Sequence, residues 1–125
     1  MADLKMKSIA LLSSTSSVDM KTAAKTTLYT VPTGKVAYVC FVVIRDTSAS
    51  LAGGTEYDIG SGASCTTWKQ NVDLSSMTTL ATDFMVILPA AKYTEEAAAN
   101  TFGILVVTGS TAACTATIDC FGYLV

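Results

Sequence analysis

Histidine is absent from the 125 residues of this chain. Its absence excludes the Ser-His-Asp and Cys-His arrangements in which a base activates a nucleophile. It also removes the imidazole ligands on which metal chemistry in small β-barrels depends, so that carboxylates and thiols are the remaining metal ligands. From composition we therefore expect a protein that is not an enzyme, with no catalytic residue, no cofactor and no metal.

Charge is also scarce, because charged side chains make up 14% of the sequence against about a quarter in an average domain. The 8 basic and 10 acidic residues are scattered, and the net charge is −2. No stripe of Lys and Arg is present to neutralise phosphates, which argues against nucleic-acid binding. So few charges predict a surface that is coated with Ser and Thr or covered by other subunits.

Long apolar runs are missing. The longest, Val36 to Ile44, is shorter than the roughly 20 residues that a membrane-spanning helix needs. The run Ile9 to Leu12 stops short of the apolar core of about 7–15 residues in a secretory signal. We therefore expect no membrane association, and synthesis in the cytoplasm.

The four cysteines contain no C-x-x-C pair, the spacing by which zinc sites are often recognised. Cys40 and Cys120 lie in apolar segments and are expected to be small buried residues. Cys65 and Cys114 lie in loops rich in Ser, Thr and Ala. For this second pair two alternatives stay open: free thiols, or a disulfide formed late, after release into oxidising surroundings.

Acidic and aromatic side chains offer two further kinds of site. No spacing among the acids selects a two-carboxylate pair, and single acids near turns are typical capping groups. Aromatic residues on strands are usually core or interface residues, and a sugar-stacking platform is the alternative. The acids are Glu56, Asp58, Asp73, Asp83 and Asp119, and the aromatics are Tyr29, Tyr38, Tyr57, Trp68, Tyr93 and Tyr123.

Strand signals recur at short spacing along the whole chain. They predict an all-β fold, a single jelly-roll-like β-sandwich of about eight strands that spans residues 1–125. The one helical candidate, Thr94–Ala99, is expected to form one turn at most. The predicted strands are Lys7–Ser13, Thr26–Val31, Val36–Arg45, Thr55–Ile59, Cys65–Val72, Leu80–Leu88, Thr101–Thr108 and Thr115–Leu124.

Several segments resemble a family of small bacteriophage virion proteins. Thr26–Lys35 contains an L-Y-T-V-P-x-G-K signature, and a long apolar strand and an N/D-x-S-A-S loop follow it in that family. Here Val36–Ile44 and Asp46–Ser50 stand in those places. Thr101–Ile104 and Ile118–Leu124, with its F-G-Y-L, are similar to the last two strands of the family. The resemblance covers roughly residues 18–125.

The resemblance implies a structural protein of the virion. We expect a capsid decoration (cement) protein that binds the major capsid protein where capsid subunits meet, as a homo-oligomer, with a trimer as the assumed state. The alternative is a tail, neck or fibre subunit that binds other virion proteins. A carbohydrate-binding module is a more distant alternative, and it requires several aromatic side chains to be exposed together.

Residues 1–12 lie outside the resemblance and have two interpretations. One is a loose end followed by an ordinary first strand. The other is an arm that adds to the sheet edge of a neighbouring subunit or of the capsid, by backbone pairing. In the second case Lys7, Ile9, Leu11 and Leu12 are the expected partner-binding residues.

Overall fold

The structure, a computed structural model, describes residues 8–90 and 95–125. These residues form nine strands and no helix, and none of them belongs to a helix that is long and apolar enough to span a membrane. The predicted all-β class is therefore confirmed. The strands are β1 (Ala10–Asp19), β2 (Lys25–Thr30), β3 (Ala37–Arg45), β4 (Glu56–Ser61), β5 (Lys69–Val72), β6 (Met85–Ile87), β7 (Glu95–Glu96), β8 (Thr101–Thr108) and β9 (Thr115–Leu124).

The strands form two antiparallel sheets that pack face to face. The first sheet has the order β1-β9-β3-β6, and β7 also pairs with β3. The second sheet has the order β2-β8-β4-β5. In each sheet a strand from the start of the chain pairs with one from its end, so the fold is jelly-roll-like, as predicted. Within the described residues the edge strands of the first sheet are β1, β6 and the two-residue β7, and those of the second are β2 and β5.

The core lies between the sheets and is built around one Trp. Trp68 meets Phe102 edge to face, with ring centroids 5.7 Å apart. Its indole Nε1–H donates to the Val39 carbonyl at 2.9 Å, which ties the second sheet to the first. Tyr57 is also buried and donates its hydroxyl to the Met20 carbonyl at 2.8 Å. Both polar atoms have partners, as buried Trp and Tyr side chains require.

The first strand differs from its prediction. The expected Lys7–Ser13 strand is found as Ala10–Asp19, which runs on through the Ser and Thr residues. Antiparallel pairing with β9 extends it, from Ala10 opposite Gly122 to Asp19 opposite Thr115. Val18 is buried within this polar stretch, so tertiary pairing overrides the weak local pattern.

The helical turn expected at Thr94–Ala99 is wrong for the described part of that segment. Glu95 and Glu96 form β7, which pairs with Ala37 and Tyr38 of β3. The following alanines make a tight turn, in which Ala99 takes a φ of 68°. The sequence has good helix formers here, but a single turn of helix gains too little to compete with a strand partner.

Two other strands are shorter than predicted. The Leu80–Leu88 segment is a strand only over β6, because Asp83 accepts the Thr79 N–H at 2.9 Å and closes a turn before it. In the Cys65–Val72 segment only β5 is a strand, because Cys65 sits in a turn with a φ of 50°. Both turns depend on local polar contacts that interrupt an otherwise apolar pattern.

All four cysteines are buried, and Cys65, Cys114 and Cys120 are free thiols. Cys40 and Cys120 are buried in strands, as predicted. Cys65 and Cys114 form no disulfide, so the free-thiol alternative is the one that the structure supports. Burial raises the pKa of Cys120 to about 12, which keeps this thiol protonated and unreactive at neutral pH.

Candidate contact surface

The outer face of the first sheet, which points away from the core, is the most unusual surface of the described residues. On β3, Val39, Val42 and Ile44 are buried in the core, while Phe41 and Val43 are half-buried. Antiparallel sheets usually place polar residues on the face that does not meet the core. Here several outward positions of the central strands β3 and β9 are apolar instead.

Two stacked aromatic pairs lie across β3 and β9. Phe41 stacks on Phe121 with ring centroids 4.7 Å apart, and Tyr38 stacks on Tyr123 at 5.3 Å. Each pair joins directly opposed residues of the two strands, where side chains interact most closely. The four rings make the centre of this face flat, rigid and largely apolar.

Gly122 permits the close approach of these two strands. A Cβ at this position would collide with the carbonyl oxygen of Tyr38 on β3. Because glycine has no Cβ, the backbones come together between the two aromatic pairs, and Phe121 and Tyr123 on either side of it can stack on their partners. The glycine in the closing F-G-Y-L segment thus has a clear packing role.

Aliphatic side chains extend the aromatic centre to both edges of the sheet. Leu11 of β1 lies opposite Phe121, and Val86 of β6 lies opposite Val43. Leu11 is 53% exposed and Val86 is 48% exposed. We call the set Leu11, Phe41, Val43, Val86 and Phe121 the apolar outer face. It spans the sheet from edge strand to edge strand, and such patches commonly mark interaction sites.

A polar cluster borders the apolar outer face. The Arg45 Nε–H donates to an Asp119 carboxylate oxygen at 2.8 Å, and the Ser14 hydroxyl donates to the other oxygen at 2.5 Å. Burial alone would raise the pKa of Asp119, but the hydrogen bonds from Arg45 and Ser14 outweigh it and leave the pKa lowered. The Asp119 carboxylate is thus ionised at neutral pH, and its role on the sheet is structural.

Of the four predicted partner-binding residues the structure describes three, and these three do not share one exposed surface. Lys7 lies outside the described residues. Ile9, just before β1, and Leu11, within it, are each 53% exposed. Leu12 is partly buried and packs against the core. Ile9 and Leu11 are therefore exposed and available to contact a partner, whereas Leu12 contributes to the packing of the fold.

The aromatic residues do not come together as a sugar-stacking platform. Trp68 and Tyr57 are buried, and Tyr29 packs against the core. Tyr93 lies outside the described residues. Tyr38 and Tyr123 remain on the outer face, but they stack on each other, so the described residues give the carbohydrate alternative little support.

Two of the five acidic residues, Asp73 and Asp83, serve turns as predicted, whereas Asp58 joins β4 to β5. Asp58 accepts the Asn71 N–H at 3.0 Å, and Asp73 accepts the Ser75 N–H at 2.9 Å. Asp83 closes the turn before β6. Among the described residues no three His, Cys, Asp or Glu side chains are grouped as metal ligands would be.

One buried acid was not singled out from the sequence. Glu96 of β7 is 1% exposed, and its carboxylate accepts hydrogen bonds from the Ser61 and Thr67 hydroxyls. These donors come from β4 and the loop after it, so the contact fastens β7 across the sandwich. A buried acid with hydroxyl partners is satisfied structurally.

Comparison of the chain with protein-family models, with curated proteins and with solved structures finds no match. Function must therefore be inferred from the surface and the core of the chain itself.

The sequence did contain a signal for the outer face: Val36–Arg45 is apolar at alternate positions on both sides. That pattern predicts a strand covered by the opposite sheet on one face and by something else on the other.

Proposed function

We propose that this chain is a phage structural protein, a capsid decoration (cement) protein that stabilises the shell by binding where capsid subunits meet. The observation that carries the proposal is the apolar outer face, a sheet surface that a protein acting alone would make polar. The family resemblance of residues 18–125 supplies the virion context.

The mechanism is mechanical. Docking of the apolar outer face on the shell removes apolar surface from water, which stabilises the contact by about 25 cal/mol for each Å² buried. If one copy spans two capsid subunits, expansion or rupture of the shell must break that contact. The low charge of the chain fits this role, because the centres of protein interfaces are depleted of charged residues.

The stacked rings suit a docking surface for a further reason. Phe41 and Phe121 are already held together by cross-strand stacking. A rigid aromatic surface loses little conformational entropy on binding, so more of the burial energy is retained as affinity. Aromatic residues are also enriched in the centres of interfaces.

A particle-retention assay tests the proposal. Purified protein is added to capsids that lack it, and retention is measured by sedimentation for the wild type, for Leu11→Asp and for Val107→Asp. We expect Leu11→Asp to bind about tenfold more weakly, as an interface residue of moderate energy would. Val107→Asp, a matched change on the second sheet, should bind like the wild type.

Two outcomes contradict this function. Equal retention of both variants removes the apolar outer face from the contact. A wild-type protein that ignores capsids but co-sediments with tails or fibres supports the alternative, a tail, neck or fibre subunit.

A further inference from the structure

The edges of the two sheets differ in how they are protected. An edge strand presents unpaired N–H and C=O groups, and proteins usually block further pairing there with bulges, charges or short length. Within residues 8–90 and 95–125 the edge strands are β1, β2, β5, β6 and the two-residue β7. Three of them, β1, β2 and β5, are bulged.

The strands β1, β2 and β5 are all irregular. β1 has two register shifts against β9, and one of them contains Ser17 with a φ of 56°. β2 has one shift and carries Lys25, and β5 has one shift and carries Lys69. Bulges and lysines are the devices that discourage an additional strand.

The β6 edge has neither a bulge nor a charge among its described residues, and its short length, three residues, is its one protective feature. Its pairing with β3 is regular, and Phe84–Leu88 contains no charge, no glycine and no proline. Phe84, Val86 and Leu88 alternate along it and are 65%, 48% and 63% exposed. A regular edge with a row of exposed large apolar side chains is a template for another strand.

We propose that β6 pairs with β6 of a second copy of this chain, antiparallel, across a twofold axis at Val86. In this register Val86 faces Val86 of the partner, and Phe84 faces Leu88 of the partner. The flanking Asp83 falls opposite Pro89, so no like charges meet. The stretch is therefore complementary to itself, which a twofold contact requires.

The ends of the segment fit a partner of equal length. Before it, the turn at Asp83 ends the extended chain. After it, Pro89 lacks an N–H, and the Ala90 N–H donates to the Trp68 carbonyl at 3.0 Å, which draws the chain toward the second sheet. About five residues are left for pairing, and a second β6 supplies the same number.

The twofold axis also has a consequence for the apolar outer face. An axis perpendicular to the sheet keeps the outer faces of both copies on the same side. The two sheets then join into one, and the apolar outer face doubles in width. The proposal concerns the free protein and does not depend on the virion function, so the two can fail separately.

Charge substitution at the axis tests both the contact and its register. Sedimentation over a range of concentrations should show a dimer for the wild type and a monomer for Val86→Lys and for Val86→Glu, because like charges then face each other. An equimolar mixture of the two variants should restore the dimer, because opposite charges then meet across the axis. Val107→Lys, on an interior strand, should leave the dimer intact, and circular dichroism checks folding.

Cross-linking gives a second measurement that is independent of dimer strength. A Val86→Cys variant should form an intermolecular disulfide under mild oxidation, because directly opposed residues have Cβ atoms about 4.5–5.5 Å apart. A Thr108→Cys variant, on β8 of the second sheet, serves as the control and should stay reduced. A wild-type monomer, a wild-type trimer, or a mixture of the two charge variants that stays monomeric would overturn the proposal.

Discussion

Asp119 shows how a single ionised side chain is used in this fold. It lies on the outer face of β9 and holds Arg45 and Ser14, which come from the two strands on either side. One carboxylate thus joins three strands of the first sheet. Its role is to fix side chains beside the apolar outer face.

Asp119 predicts a specific loss of stability in acid. The pKa of Asp119 is lowered in the folded state, so its contribution is complete at neutral pH and disappears as pH falls through the folded pKa, below 3.8. Asp119→Asn should lower the free energy of unfolding by about 1–2 kcal/mol at neutral pH. The difference from wild type should shrink in acid, as the pH falls below 3.8 and Asp119 becomes protonated.

Urea titrations at neutral pH and below pH 3.8 measure this difference. Asp46→Asn, at an exposed acid that directly follows β3, is the control and should change little at either pH. An equal loss for Asp119→Asn at both pH values would mean that ionisation of Asp119 does not matter.

A second prediction at the residue scale concerns catalysis. Screens with esters, phosphoesters and glycosides, with metals added, should give no turnover above background. The reason is that the chain has no histidine, and Asp58, Asp73, Asp83 and Asp119 each accept structural hydrogen bonds in strands or turns. A turnover that Asp58→Asn, Asp73→Asn or Asp83→Asn abolishes would contradict this.

The residues also show where sequence reasoning works and where it fails. The turn roles of Asp73 and Asp83 were predictable, because their partners lie two and four positions away. The burial of Glu96 was not, because its partners Ser61 and Thr67 are 35 and 29 positions away. Local sequence favoured a helix start there, and only the assembled sandwich supplies the hydroxyls.

At the scale of elements, three of the long strands have bounds close to those predicted from their sequence patterns. β3, β8 and β9 lie within a residue of their predicted bounds, because each has a dense pattern of apolar residues. β1 and β6 depart from prediction. β1 is lengthened by pairing with β9, and β6 is shortened by the turn at Asp83. Neither boundary can therefore be predicted from the hydrophobic pattern alone.

Gly122 provides a prediction for the pairing of β3 and β9. Gly122→Ala should destabilise the protein by about 1–3 kcal/mol, because the new methyl group collides with backbone that cannot move without separating the strands. The melting temperature should fall. Ala at position 116, a buried site on the same strand, shows that β9 accepts alanine where space exists. An unchanged melting temperature would show that the strands are not tightly apposed.

The N-terminal segment provides a second prediction at this scale. Deletion of residues 1–8 should leave the denaturation midpoint unchanged, because the pairing of β1 with β9 in the described part of the chain begins at Ala10. If these residues form an arm that adds to a neighbouring sheet, retention on particles should weaken under high salt and heat. Retention equal to that of the full chain would end the arm hypothesis and leave the loose-end interpretation.

At the scale of the whole molecule, the order in which the strands pair could not be predicted from the sequence. The first sheet joins β1 to β9, over a hundred positions apart at Ser14 and Asp119, and no local signal specifies such a partner. The sequence alone showed that both sides of β3 are apolar. That this pattern contributes to one apolar surface became clear only from the sheet order, which places Phe41, Phe121 and Leu11 side by side.

The position of the protein in a density map of the intact phage particle tests the central claim most directly. The decoration role predicts density for this sandwich on the capsid, at junctions between capsid subunits. It also predicts that the β1-β9-β3-β6 sheet faces the shell, with Phe41 and Phe121 at the contact. A sandwich found only on the tail, or one on the capsid with this sheet turned to solvent, would contradict the account.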